Sequence, residues 1–211
     1  MTIFGNLITG EIIENDVRNH LQKWLPTYLR QLATDRGLPR TALPLPKLWM
    51  NTTEFDTDFS ADNTPAILII CTGISGTPVR EGDGTYRAAW TVGVGVLASA
   101  GGNDSRRNSS ALAKRYAGAI KWAMLQYSSL GSPYVEGVDW EDEGYDDVPS
   151  DQQSALASAR LVFSVEYRDV IETNAGPGAP DPLPDPDINT YPEWGTVQDS
   201  DHVHIDVRRT K

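Results

Sequence analysis

The densest chemistry in this chain lies in residues 136–151, where Glu136, Asp139, Glu141, Asp142, Glu143, Asp146, Asp147 and Asp151 occur with no Lys or Arg among them. Trp140 and Tyr145 interrupt the run. Paired carboxylates beside aromatic rings are what glycoside hydrolysis uses, one held protonated as the acid and one ionised. The same residue types also make a solvated acidic loop, because like charges repel and resist burial. A third reading is an interface for a basic partner, with Glu141, Asp142 and Glu143 at its centre.

Other constellations carry less. Gly93-Val-Gly95 superficially matches a dinucleotide-binding turn, but its glycines lie inside an alternating strand pattern and no helix N-terminus follows directly. His202, His204 and Asp206 alternate on an extended segment and lack the further ligand spacing that a metal site needs. None of the serines sits in a nucleophile elbow, and the three histidines leave few candidate bases. Arg106 and Arg107, in a Gly/Asn/Asp-rich stretch, and Arg80, Glu81 and Asp83, in a glycine-rich stretch over 73–84, read as exposed loop charges available for intersubunit contacts. The sequence therefore calls for no catalytic group, cofactor or metal, and the chain reads as a non-enzyme.

These groups need elements to hold them. Tyr86, Ala88, Trp90, Val92, Val94 and Val96 alternate with Arg87, Thr91, Gly93 and Gly95, which predicts a half-buried strand over 86–98. Leu112, Tyr116, Ala119, Ile120, Ala123 and Tyr127 recur at helical spacing and predict a helix over 109–128 that covers the sheet. A second alternating strand is expected over 156–172. An N-terminal helix over 11–36 carries the stripe Ile13, Val17, Leu21, Trp24, Tyr28 and Leu32, with Pro26 predicting a kink or two short helices. Residues 47–55 read as a strand, 66–72 as a central strand buried on both faces, and 73–84 as a long hairpin loop. The expected class is α/β (α+β): a mixed, mainly antiparallel sheet flanked by the N-terminal and central amphipathic helices. Residues 1–173 form that domain. Pro177, Pro180, Pro182, Pro184, Pro186 and Pro192 make 174–211 an acidic arm, ending in the alternation Val203, Ile205, Val207.

With 211 residues and 39% hydrophobic content, one core is expected. No leader or membrane span is expected from the sequence. The single cysteine, Cys71, reads as a small buried hydrophobe in a chain folded in a reducing cytoplasm. A formal net charge of -11 opposes general binding to phosphate backbones.

The order of these features as a whole resembles tail-terminator proteins of long-tailed, non-contractile bacteriophages, especially those of actinobacteria. It runs from the amphipathic first helix through the proline-rich connection, the 86–98 strand and the 109–128 helix to Trp140-Glu-Asp-Glu-Gly-Tyr-Asp and Leu156-Ala-Ser-Ala-Arg-Leu-Val-Phe-Ser-Val-Glu-Tyr-Arg-Asp-Val170. The resemblance implies a subunit of a ring, usually a hexamer, that caps the head-proximal end of the tail tube, stops its polymerisation and offers a surface for head joining. Its implied partners are copies of itself, the tail tube protein and the head-tail connector or stopper protein. DNA would pass through the lumen without specific binding, with no membrane contact. The implied location is the virion neck, after assembly in the host cytoplasm. Another neck component or a tail-tube subunit is the neighbouring alternative, and a small carbohydrate-active enzyme is the alternative of a different class.

Overall fold

A computed structural model of the chain describes residues 7–51, 61–101, 104–148 and 156–171. Two helices lie on one face of a five-stranded sheet. Helix α1 spans Gly10–Asp35 and helix α2 spans Ser105–Gln126, while the strands are β1 (Leu48–Met50), β2 (Ala66–Arg80), β3 (Tyr86–Ser99), β4 (Val135–Val148) and β5 (Leu156–Tyr167). The sheet order is β1-β2-β3-β5-β4, with β1 parallel to β2 and every other pair antiparallel. The class is thus the α+β arrangement of a mixed, mainly antiparallel sheet flanked by helices.

The alternation in β3 works as its period of two dictates. Ala88, Val92, Val94, Val96 and Ala98 are buried towards the helices. Across the register they meet Tyr167, Phe163, Leu161, Ala159 and Ala157 of β5, all buried as well. Leu112, Tyr116, Ala119, Ile120 and Ala123 of α2 close over them, and Ile13, Val17, Leu21, Leu25 and Leu29 of α1 complete a single core. Trp90, expected inside this core, is only half-buried at its margin.

Several further expectations are corrected. Helix α1 runs unbroken through Pro26, whose ring removes the hydrogen bond to the carbonyl of Gln22 on the exposed side, where solvent can replace it. It ends at Gly37, whose φ of 60° lets Gly37 N donate to Thr34 O (3.1 Å) and Leu38 N to Ala33 O (2.8 Å). The strand over 66–72 lies inside the sheet between β1 and β3, with Ala66 to Ile69 buried on both faces as expected, but second in the order rather than in the middle. It continues to Arg80, so most of the supposed 73–84 loop is the second half of β2, paired with β3. Its glycines and Pro78 sit in the irregular stretches between Cys71 and Gly73 and between Ser75 and Val79, where extra residues bulge out. Helix α2 starts earlier than 109, so Arg106 and Arg107 lie in its first turn rather than in a loop.

One correction matters most for the site. The acidic run is not a loop but the edge strand β4. Asp, Glu and Gly have poor intrinsic strand preference, and here cross-strand pairing with the strongly alternating β5 overrides it. Two single-residue bulges, at Glu136 and Glu141, set which side chains face α2. The 47–55 strand is short, Leu48–Met50, with residues 52–60 outside the described part. The arm 174–211, with His202, His204 and Asp206, also lies outside it.

Candidate functional site

The structure distributes the candidate residues over three separate places. At one end of the sheet β2 and β3 meet in the turn 81–85, which Asp83 organises: its Oδ1 accepts from Thr85 N at 3.0 Å and from Thr85 Oγ1 at 2.7 Å. Those bonds hold the Asp83 carboxyl below its ordinary pKa. Arg80, the last residue of β2, is exposed and pairs with Tyr86.

Glu81 and Asp83 share a polar cleft with Arg87, Glu136, Arg168 and Asp169. Arg87 is its hub. The guanidinium lies 3.1 Å from Glu166, 3.1 Å from Glu81 and 3.8 Å from Glu136, although its Nε lacks hydrogen-bond geometry to Glu81. Reasoning from sequence missed Arg87, Glu166, Arg168 and Asp169, and placed Glu136 only as a member of the acidic run. Alternation put Arg87 and Glu166 on outward faces, but only the register brings them together. One cation among three carboxylates is an electrostatic clasp between β3, β4, β5 and the turn, and its exposure keeps its contribution modest.

The second surface is the β4 edge. Here the Glu141 bulge resets the alternation, so that Trp140, Glu143 and Tyr145 take the α2 side while Asp142 and Asp146 take the outer side. Lys121 of α2 meets Glu143 Oε2 at 2.5 Å and lies 4.3 Å from the Trp140 ring centroid, and Lys114 lies 5.3 Å from that of Tyr145. On the outer side Arg160 Nη2 meets Asp142 Oδ2 at 2.8 Å. The Trp140 indole N–H donates to the carbonyl of Asp142 at 2.9 Å. Neighbouring carboxylates are therefore turned to opposite faces of the sheet and paired with different cations. Asp142 and Glu143, adjacent in sequence, thus do not face each other. Asp139, Glu141 and Asp146 are exposed, with no cation partner among the described residues.

Arg106 and Arg107 lie at the opposite end of the sheet from the 81–85 turn, where β3 hands over to α2. Basic residues in the first turn oppose the helix dipole, so they add surface charge rather than helix stability. The handover is fixed instead by Ser109, whose buried hydroxyl accepts from Ala100 N at 2.8 Å. Cys71 is half-buried, with its thiol pushed up by burial, and its backbone N–H donates to Glu14 Oε1 at 2.8 Å. Among the described residues no group of His, Cys, Asp and Glu is placed to hold a metal, and no helix is long and apolar enough to cross a membrane.

No protein-family model matches the chain, and no curated protein matches it. Among solved structures it is similar to a chain of the assembly described as "Virion of native gene transfer agent (GTA) particle", with a TM-score of 0.39 and 15% identity, over 70% of this chain and 94% of that one. Likeness of that degree assigns neither a family nor a role.

Proposed function

We propose that this chain is a structural protein of phage-type virions and that it acts as a tail terminator. Copies close into a ring, a hexamer as is usual in the resembled family, on the head-proximal end of the tail tube. The ring stops tube growth and presents a surface to the head connector, while DNA passes the acidic lumen unbound. One observation carries this reading: the order α1, β1, β2, β3, α2, β4, β5 follows the series of features on which the resemblance rests. The arrangement also suits assembly, because the core is confined to one face and charge is gathered at the sheet's ends and edge.

Deletion of the gene from its phage tests the reading. Overlong or headless tubes beside filled heads are expected, since subunits keep adding to an uncapped end. Tails of normal length that fail to join heads would instead make the protein a connector, and normal tailed particles would remove it from assembly.

A further inference from the structure

We propose that the edge of β4, unpaired among the described residues, receives as an added strand residues 202–208 of a neighbouring copy of this chain. This rests on the self-assembly part of the reading above and not on what the assembly caps. Beyond Met50, β2 has an open edge among the described residues, but Pro78 and a multi-residue bulge interrupt it. That edge is badly suited to another strand, since proline cannot donate to a ladder. β4 is 14 residues long, carries no proline, and its two bulges hold one extra residue each.

Both faces of that edge match the segment. Towards α2, Trp140 and Tyr145 are 46% and 42% exposed, an aromatic ledge beside Lys121 and Lys114. Val203, Ile205 and Val207 alternate along the segment and would cover it as the next strand's inward row. On the outer face Asp139 and Asp146 have no cation partner among the described residues, and the segment supplies His202, His204 and Arg208 on the opposite row, followed by Arg209 and Lys211. Asp206 within the segment, and Asp199 and Asp201 before it, oppose this complementarity. The match of apolar row to aromatic ledge and basic row to acidic row fixes which way up the segment lies.

The length and composition of the connection favour a neighbour over the chain's own edge. About 30 residues separate Ile171 from the segment, six of them proline. Proline-rich chain extends by roughly 3.1 Å per residue, whereas the chain's own β4 edge lies only one strand, about 5 Å, beyond β5. A connection whose contour is far longer than the span lowers the effective concentration at its own edge and leaves a second copy within reach.

The test uses full-length chains in a Cys71→Ser background. One pool carries His204→Cys, and the other carries Asp139→Cys or Asp146→Cys. After mixing and mild oxidation, a disulfide-linked heterodimer is expected at roughly ten times the yield given by a Gln22→Cys control on α1, and Arg208→Glu with Arg209→Glu should remove most of that gain. Combining those reversals with Asp139→Lys and the Asp146→Cys pool should restore it, which a merely unfolded variant would not do. Yields at control level while sizing still shows a discrete oligomer would overturn strand exchange and leave the assembly reading standing. Monomers alone, with no cross-link, would remove both. A chain bearing both cysteines that closes on itself as a monomer would assign the strand to its own edge and overturn the exchange.

Discussion

Lys121 of α2 and Glu143 of β4 form the best shielded ion pair of the β4 edge: Nζ and Oε2 lie 2.5 Å apart, their side chains are 26% and 12% exposed, and the Trp140 ring covers the same ammonium. Arg160 and Asp142, on the other face of the same strand, are 64% and 56% exposed. Glu143→Gln or Lys121→Met should cost about 1–3 kcal/mol, because each leaves a partly buried charge without its partner. Arg160→Ala should cost under about 0.5 kcal/mol, as exposed pairs do. Equal losses in denaturant titrations would show that burial does not distinguish the two pairs.

The same contrast decides which charges can be reversed without harming the fold. Asp139, Glu141 and Asp146 are exposed, so changing all three to lysine should leave the melting temperature within a few degrees while altering the salt dependence of self-association. Glu143→Lys sets two ammonium groups against each other and should unfold the chain at a lower temperature. Sizing at several salt concentrations, alongside thermal melts, checks both halves.

Phe163 is fully buried between the sheet and its helices, so Phe163→Ala should cost about 3–5 kcal/mol. Trp90 differs. It is half-buried, and its indole Nε1 is shielded from solvent with no partner among the described residues. Trp90→Phe removes that orphan donor along with some contact area, and should change stability by less than about 1 kcal/mol. A loss approaching that of Phe163→Ala would mean that the indole has a partner in solution.

His20 gives the protein a pH dependence with a definite sign. Its ring is buried against α2, Nε2 donates to Ala123 O at 2.9 Å, and the ring edge approaches Tyr127 at 6.5 Å between centroids. Desolvation holds its pKa below 6.5, with Lys23 adding to that effect and the carbonyls of Ala123 and Leu130 opposing it. The folded state therefore takes up its proton at lower pH than the unfolded chain does. Stability is complete above about pH 6.5 and falls as acid is added through that value. In urea titrations between pH 7 and pH 5, His20→Gln should flatten this part of the curve, at a cost of about 1 kcal/mol at pH 7. An unchanged slope would assign the acid sensitivity to other groups.

What could be read from the chain follows the physics of each element. β3, β5 and α2 were legible because one face of each is apolar at a fixed period and has a single deep core to serve. β4 was not, since its residues favour solvent and it is a strand only because β5 holds it there. The second half of β2 was hidden for a related reason: its glycines and Pro78 mark bulges in a paired strand, and the same residues mark turns in a loop. The Arg87 clasp depends on register, which alternation alone leaves open by any even number of residues. Glu81, Asp83, Glu141 and Asp142 were legible as charged surface, but the burial of Glu143 against Lys121 and the division of 141–143 between two faces were not.

That division comes from the bulge at Glu141. Strict alternation from Trp140 onward would send Asp142, Gly144 and Asp146 towards α2 and turn Glu143 and Tyr145 outward. One surplus residue reverses the parity of everything that follows it. The pattern of acid displayed along this edge is thus encoded in a count of residues as much as in their identities. Loss of a single codon here would invert the surface while leaving the composition of the strand almost unchanged.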